Sequence, residues 1–236
     1  MKSVAIITAR GGSKRIPHKN IKPFLGRPII EYSIEAAQRA GMFSEVMVST
    51  DDVEIAQVAK KAGAKVPFMR SEKTSNDFAA TADVISEVME TYERMGMGFD
   101  SICCIYPTAP FVTADAIKNA MRLLEQEKAD CVIPVVKYSF PPQRSVVINN
   151  GRLMAKWPEN MGRRSQDLEP LYHDCGQFYC LNAASFKEQG VIWMENSVPF
   201  IQDEINVQDI DTQEDWEIAE MKYKLLQDAA INRNGD

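Results

Sequence analysis

The chain is poor in the side chains that usually announce a metal or redox centre. It has two histidines, His18 and His173, in 236 residues. Its five cysteines, Cys103, Cys104, Cys131, Cys175 and Cys180, contain no Cys-x-x-Cys spacing. A zinc site is therefore not expected, and the thiols, set mostly among apolar neighbours, read as reduced and buried. No apolar run approaches the ~18 residues that cross a bilayer. The opening "MKSVAIITARGG" turns to charge too soon for a secretory leader, so the cytoplasm is the expected compartment. There is no G-x-x-x-x-G-K-[ST], which excludes a P-loop, and no G-x-G-x-x-G after the first apolar run, which excludes the dinucleotide fingerprint. Internal repeats and low-complexity tracts are also missing. The net charge of −6 argues against general nucleic-acid binding.

What is present reads as one α/β domain spanning 1–236. Hydrophobic content of 45% and charged content of 25% are ordinary for a globular protein of this length. Short β-branched runs at 4–8, 45–50, 101–106, 130–136 and 176–181 read as buried strands, and 65–70 as a further extended piece. Helical periodicity falls between them, at 27–41 with Pro28 suited to the first turn and Gly41 to the stop, at 51–63, 81–96 and 113–127 with Thr113 as N-cap. Residues 182–190 form a short helix. A last one covers 213–227, with Thr212 and Asp215 as a capping box and a frayed end beyond it. This alternation predicts a mainly parallel sheet covered on both faces. Residues 139–172 break the rhythm. They contain a hairpin turning at Asn149-Asn150-Gly151 and a polar, Pro-rich stretch, and read as an arm or lid.

An asymmetry of charge comes first among the functional signals. The stretch "TARGGSKRIPHKN" (8–20) carries Arg10, Lys14, Arg15 and Lys19, and no acid precedes Glu31. It follows the first strand, at the sheet edge where open parallel sheets bind ligands. Gly11 and Gly12 allow close backbone approach, with amides available to an anion, and Arg10, Lys14 and Lys19 can surround several phosphates. A polyphosphate site is the expectation. His18 reads as exposed.

The second signal is Asp209-x-Asp211. In an extended segment residues i and i+2 share a side. Two carboxylates there make a hard oxygen site suited to Mg2+, which also accepts phosphate oxygens.

Together these stretches resemble the cytidylyltransferases that activate acidic nonulosonate sugars. The matching residues are Ala9, Arg10, Gly12, Ser13, Lys14, Lys19 and Asn20, then "VSTDD", "VPFMR", "YPTAPF" and "VQDIDTQEDW", spread over about residues 3–226. The resemblance implies a three-layer α/β/α Rossmann-like nucleotide-diphospho-sugar transferase fold with a small dimerisation arm. It implies transfer of CMP from CTP to the anomeric hydroxyl of a nonulosonic acid, with Mg2+ on Asp209 and Asp211 and pyrophosphate as leaving group. Arg10, Lys14 and Lys19 would hold the β- and γ-phosphates. Ala9, Gly11, Gly12, Ser13, Asn20, Arg70 and Thr81 are further nucleotide-site candidates. Tyr106, Thr108, Phe111, Gln177 and Tyr179 are candidates for the sugar pocket, and Arg144, Arg163 and Arg164 for the sugar carboxylate, whose two oxygens suit the guanidinium fork.

Sialate synthetases usually show Gln-Pro-Thr-Ser-Pro where this chain has Tyr106-Pro107-Thr108-Ala109-Pro110. That difference points away from N-acetylneuraminate. "FPPQR", "WPEN", "RSQDLEP" and "YHDCGQFY" look closer to the branch that takes pseudaminic acid. N-acetylneuraminate, legionaminate and 3-deoxy-manno-octulosonate are the rival acceptors. A homodimer, with the 139–172 arm reaching its partner, is also implied. Two other classes compete: a metal-dependent glycosyltransferase, whose D-x-D commonly sits mid-chain, and a non-catalytic nucleotide-binding regulator.

Overall fold

A computed structural model describes residues 2–234. The chain begins with β1 (Ser3–Thr8), then β2 (Pro23–Phe24) and β3 (Arg27–Pro28), which pair as a small hairpin, and α1 (Ile30–Ala40). Next come β4 (Glu45–Ser49), α2 (Val53–Lys61), the single turn α3 (Glu72–Ser75) and α4 (Thr81–Arg94). The middle holds β5 (Ser101–Ile105), α5 (Ala114–Gln126), β6 (Cys131–Lys137), β7 (Val146–Asn149) and β8 (Arg152–Ala155). β9 (Tyr172–Asp174), β10 (Phe178–Asn182), α6 (Ala183–Gln189), β11 (Ser197–Gln202) and α7 (Gln213–Asn234) complete it.

The main sheet runs β11-β6-β10-β5-β1-β4, with β9 also paired to β6. Strands β4, β1, β5, β6 and β11 point one way; β9 and β10 run against them. Alternation along β1 explains the layering. Ala5 and Ile7 pack with α1, α2 and α5 through Ile34, Ile55 and Ile117. Val4 and Ile6 pack on the other face, with Ile85 and Tyr92 of α4 and Phe186 of α6. A strand buried on both faces must lie inside a covered sheet. The architecture is α/β with the mainly parallel sheet that the alternation predicts.

Because β4 lies on one side of β1 and β5 on the other, the chain reverses its direction of travel at β1. That is the switch point where open sheets leave a crevice at their carboxyl ends. Thr8, Ser49 and Ile105 end the three strands there.

Several local readings need adjustment. Pro28 does not open a helix. It pairs with Pro23 across a tight turn at Leu25 (φ 47°) and Gly26 (φ 93°), and α1 starts at Ile30. Residues 65–70, read as an extended piece, lie beside β4, bridged to it at Lys65 and bonded to Ser49 by the Arg70 side chain. β9 and β11 carried no sequence expectation. β11 contains Pro199, which an edge strand tolerates. The final helix extends past residue 227, where fraying was expected, to Asn234; residues 235–236 lie outside the described part. Other signals match the structure: Thr113 caps its helix, and Thr212 and Asp215 bond reciprocally at the start of α7.

Candidate active site

The loop after β1 is held by hydrogen bonds to β4 and from one of its own side chains. Ala9 N–H donates to Ser49 O (2.9 Å), and the Asn20 side-chain amide donates to Arg10 O (2.8 Å), which draws the loop back on itself. A 3-10 turn at Lys19–Ile21 then aims Lys19 inward, while His18 before it is exposed. Gly11 serves the protein rather than a ligand. A Cβ there would lie 2.8 Å from Asp52 Oδ2, and its N–H is already taken by Asp51 Oδ1 (2.9 Å). Gly12 faces open space.

At the other end of the chain, Ile210 is fully buried in a satellite core with Phe24, Tyr32 and Trp216. In an extended segment, anchoring Ile210 inward turns Asp209 and Asp211 the opposite way together. Both face a cleft of about 560 Å³ whose wall also includes Arg10, Ser13, Lys14 and Lys19. Arg70, Thr81, Tyr106 and Thr108 line its far end.

Every cation of the loop has an internal partner. Lys19 Nζ donates to Ile210 O (2.6 Å) and lies 3.4 Å from Asp211. Arg15 reaches Asp211 at 2.8 Å. Arg10 and Lys14 share Asp77, at 2.7 and 2.5 Å. Asp209 makes no ion pair among the described residues. Desolvation raises its pKa, and the neighbouring Asp211 charge adds to the rise. At the far end burial lowers the pKa of Arg70, which donates from Nε to Ser49 Oγ (3.0 Å) and from Nη2 to Ser49 O (2.6 Å). Thr81 Oγ1 and Tyr106 Oη are 3.2 Å apart.

Among the described residues no three or more His, Cys, Asp or Glu side chains gather into a metal cage. Two carboxylates on one wall still suit a hard divalent ion that draws its other oxygens from phosphate and water. Asp209 and Asp211 also border a second basin of about 510 Å³, lined by Lys137, Tyr138, His173 and Asp174. They form the partition between the two spaces.

The remaining sequence candidates are placed differently. Gln177 is buried and donates to Asn206 O (2.9 Å). Tyr179 is buried against the Tyr106 ring and donates to Asp174 Oδ2 (2.6 Å). Both back the walls from behind. Phe111 belongs to the satellite core with Phe24. Arg144 bonds Ser165, while Arg163 and Arg164 engage Asp167; within one chain none of the three lines either basin. Sequence reasoning assigned no role to Arg15, Asp77, Lys137 or His173. Arg15 was signalled by its place in the basic loop; nothing local to Asp77 marks it.

Comparisons with known proteins bear on the family and the fold. A family model described as cytidylyltransferase matches residues 4–151. The chain is 39% identical over 232 residues to the pseudaminic acid cytidylyltransferase of Campylobacter jejuni, covering 98% of this chain and 100% of that protein. It is 32% identical to the CMP-N,N'-diacetyllegionaminic acid synthase of Legionella pneumophila, covering 98% and 100%. Among solved structures, a CMP:2-keto-3-deoxy-manno-octonic acid synthetase complexed with CTP superposes with a TM-score of 0.68 at 20% identity, over 97% of this chain and 100% of that one. At that identity the likeness concerns the fold.

Proposed function

We propose, since the chain belongs to the cytidylyltransferase family, that it transfers CMP from CTP to the anomeric hydroxyl of pseudaminic acid and releases pyrophosphate. One observation carries the chemistry: the cations of the first loop and the carboxylates of 209 and 211 line a single cleft at the switch point of the sheet. Full-length identity to the Campylobacter enzyme favours pseudaminic acid over the other nonulosonates.

In this reading the cytosine lies toward Arg70 and Thr81, and the triphosphate runs along Arg10, Ser13, Lys14 and Lys19. Pyrophosphate leaves as the sugar hydroxyl bonds to the α-phosphorus. The loop cations hold the negative charge that grows on the leaving oxygens, the usual main contribution of protein to phosphoryl-type transfer. Asp209 and Asp211 would hold Mg2+, which when bound supplies charge neutralisation at the phosphates and acidifies a nearby hydroxyl. The acceptor occupies the second basin, across the carboxylate partition from the nucleotide. The same reading makes the reaction a cytoplasmic one. No helix among the described residues is long and apolar enough to cross a membrane.

The 139–172 arm belongs, in the same reading, to a homodimer contact. Phe140, Ile148 and Leu153 are exposed by 69%, 77% and 71%, an apolar surface that a second copy would cover. The test of function is turnover on a panel. Pyrophosphate release should require CTP and be fastest with pseudaminic acid. Preference for N-acetylneuraminate or legionaminate, or turnover with a nucleotide sugar and no CTP, would replace the proposal.

A further inference from the structure

We infer that Asp77 is an internal substitute for the nucleotide's outer phosphates, and that its return to Arg10 and Lys14 hastens pyrophosphate release and rejects nucleotides with too few phosphates. The inference rests on the triphosphate reading of the cleft and adds a residue to it.

The geometry is that of an anion site already filled. The two Asp77 oxygens are divided between two cations: Oδ1 accepts from Arg10 Nη1 at 2.7 Å and Oδ2 from Lys14 Nζ at 2.5 Å. Those cations come from a loop more than sixty positions earlier, with sequence separations of 67 and 63. The two side chains hold the Asp77 carboxyl below the usual carboxylate range, Lys14 most strongly.

The backbone presenting Asp77 is pinned on both sides. Before it, the Glu87 carboxylate accepts from Ser71 N–H (2.8 Å), Ser71 Oγ (2.9 Å) and Thr74 Oγ1. After it, Asp83 accepts from Ala80 N–H (2.9 Å). Between these anchors Asn76 Oδ1 accepts from Phe78 and Ala79 N–H, a side-chain-closed turn. Phe78 beside it is 96% exposed and packs on nothing. The core does not depend on this contact. Exchange of Asp77 for phosphate needs side-chain rotation alone.

The consequence is a threshold. A ligand must bring enough negative charge to outcompete a carboxylate for Arg10 and Lys14 at once. A triphosphate spans both; the single phosphate of CMP, held near Asp209 and Asp211, does not. After the α-phosphate bond to the leaving oxygen breaks, pyrophosphate is a separate ligand facing a tethered competitor. A tethered group rebinds at high effective concentration.

The test compares the wild-type chain with Asp77→Asn by calorimetric titration with CTP, CMP and inorganic pyrophosphate, Mg2+ present. Each exposed ion pair is weak, so losing the competitor should tighten CTP and pyrophosphate by about three- to tenfold. CMP should shift less than twofold, and product inhibition by pyrophosphate should strengthen in step. Phe78→Ala, in the same loop, should change none of these. Unchanged or weaker pyrophosphate binding in Asp77→Asn overturns the inference, as does an equal effect from Phe78→Ala. A wild-type chain that binds no CTP removes the nucleotide site itself and the latch with it. CTP binding that is normal and indifferent to Asp77→Asn removes the latch alone.

Discussion

The cleft at the carboxyl ends of β1 and β5 and the arm at 139–172 are built on opposite terms. In the cleft the two carboxylates and Arg70 are mounted on packed structure. Asp209 and Asp211 flank a fully buried Ile210, and Arg70 is clamped to Ser49 at the end of a sheet strand. In the arm, β7 and β8 pair only with each other and expose side chains on both faces. Arg144, Arg163 and Arg164 bond within the arm. A two-stranded ribbon is marginal alone, so the arm lacks the core that would make its arginines a site. One region is backed by the packed sheet. The other has no core of its own.

The sharpest way to break this contrast is to damage the cleft. Asp211→Ala removes one of the two proposed metal ligands and frees Arg15 from its partner, while Lys19 keeps Ile210 O. Turnover by pyrophosphate release should fall by about three orders of magnitude, with the fold retained. A fall of less than tenfold would place the metal, and the reaction, elsewhere.

A smaller effect is expected from the arm, and it should have a different form. Ile148→Asp with Leu153→Asp puts charge on the exposed ribbon without touching the sheet core. In a sizing column coupled to light scattering, the protein should shift from dimer to monomer. KM for the sugar should rise about tenfold while CTP affinity stays near wild type. A monomeric wild-type chain, or equal damage to both substrates, would contradict the division between the regions.

The smallest effect concerns the stability cost of the cleft. Asp209 has a raised folded pKa, from desolvation and then Asp211. A carboxyl raised on folding adds stability below its unfolded pKa and loses it as pH rises through the folded value. At neutral pH the charged form is therefore a burden. Asp209→Asn should raise Tm by about 2–4 °C at pH 7, and the gain should vanish in acid. A lower Tm at pH 7 would mean that Asp209 holds the fold together.

Legibility in the sequence followed the range of the physics involved. β1, β5 and β6 were readable because a strand buried on both faces is a short apolar run. Thr113 and the Thr212–Asp215 box were readable because capping acts within three residues. The two aspartates were readable as a same-side pair because strand period is local. Gln177 and Tyr179 suggested a pocket by type, but their side chains turn to Asn206 and Asp174, a choice set by neighbours in space. Pro28 suggested a helix start and instead closed a turn, since Leu25 and Gly26 adopt positive φ just before it.

By itself the sequence determined the alternation of strands and helices, the concentration of cations after β1 and the shared side of Asp209 and Asp211. Each is a periodicity or a composition over a few residues, which the backbone converts directly into geometry. Only the tertiary structure decided how the charges are matched. Lys19 meets Ile210 across 191 positions, and Arg10 meets Asp77 across 67. Coulomb attraction depends on distance through space, and the distance between loops is set by the packed sheet beneath them.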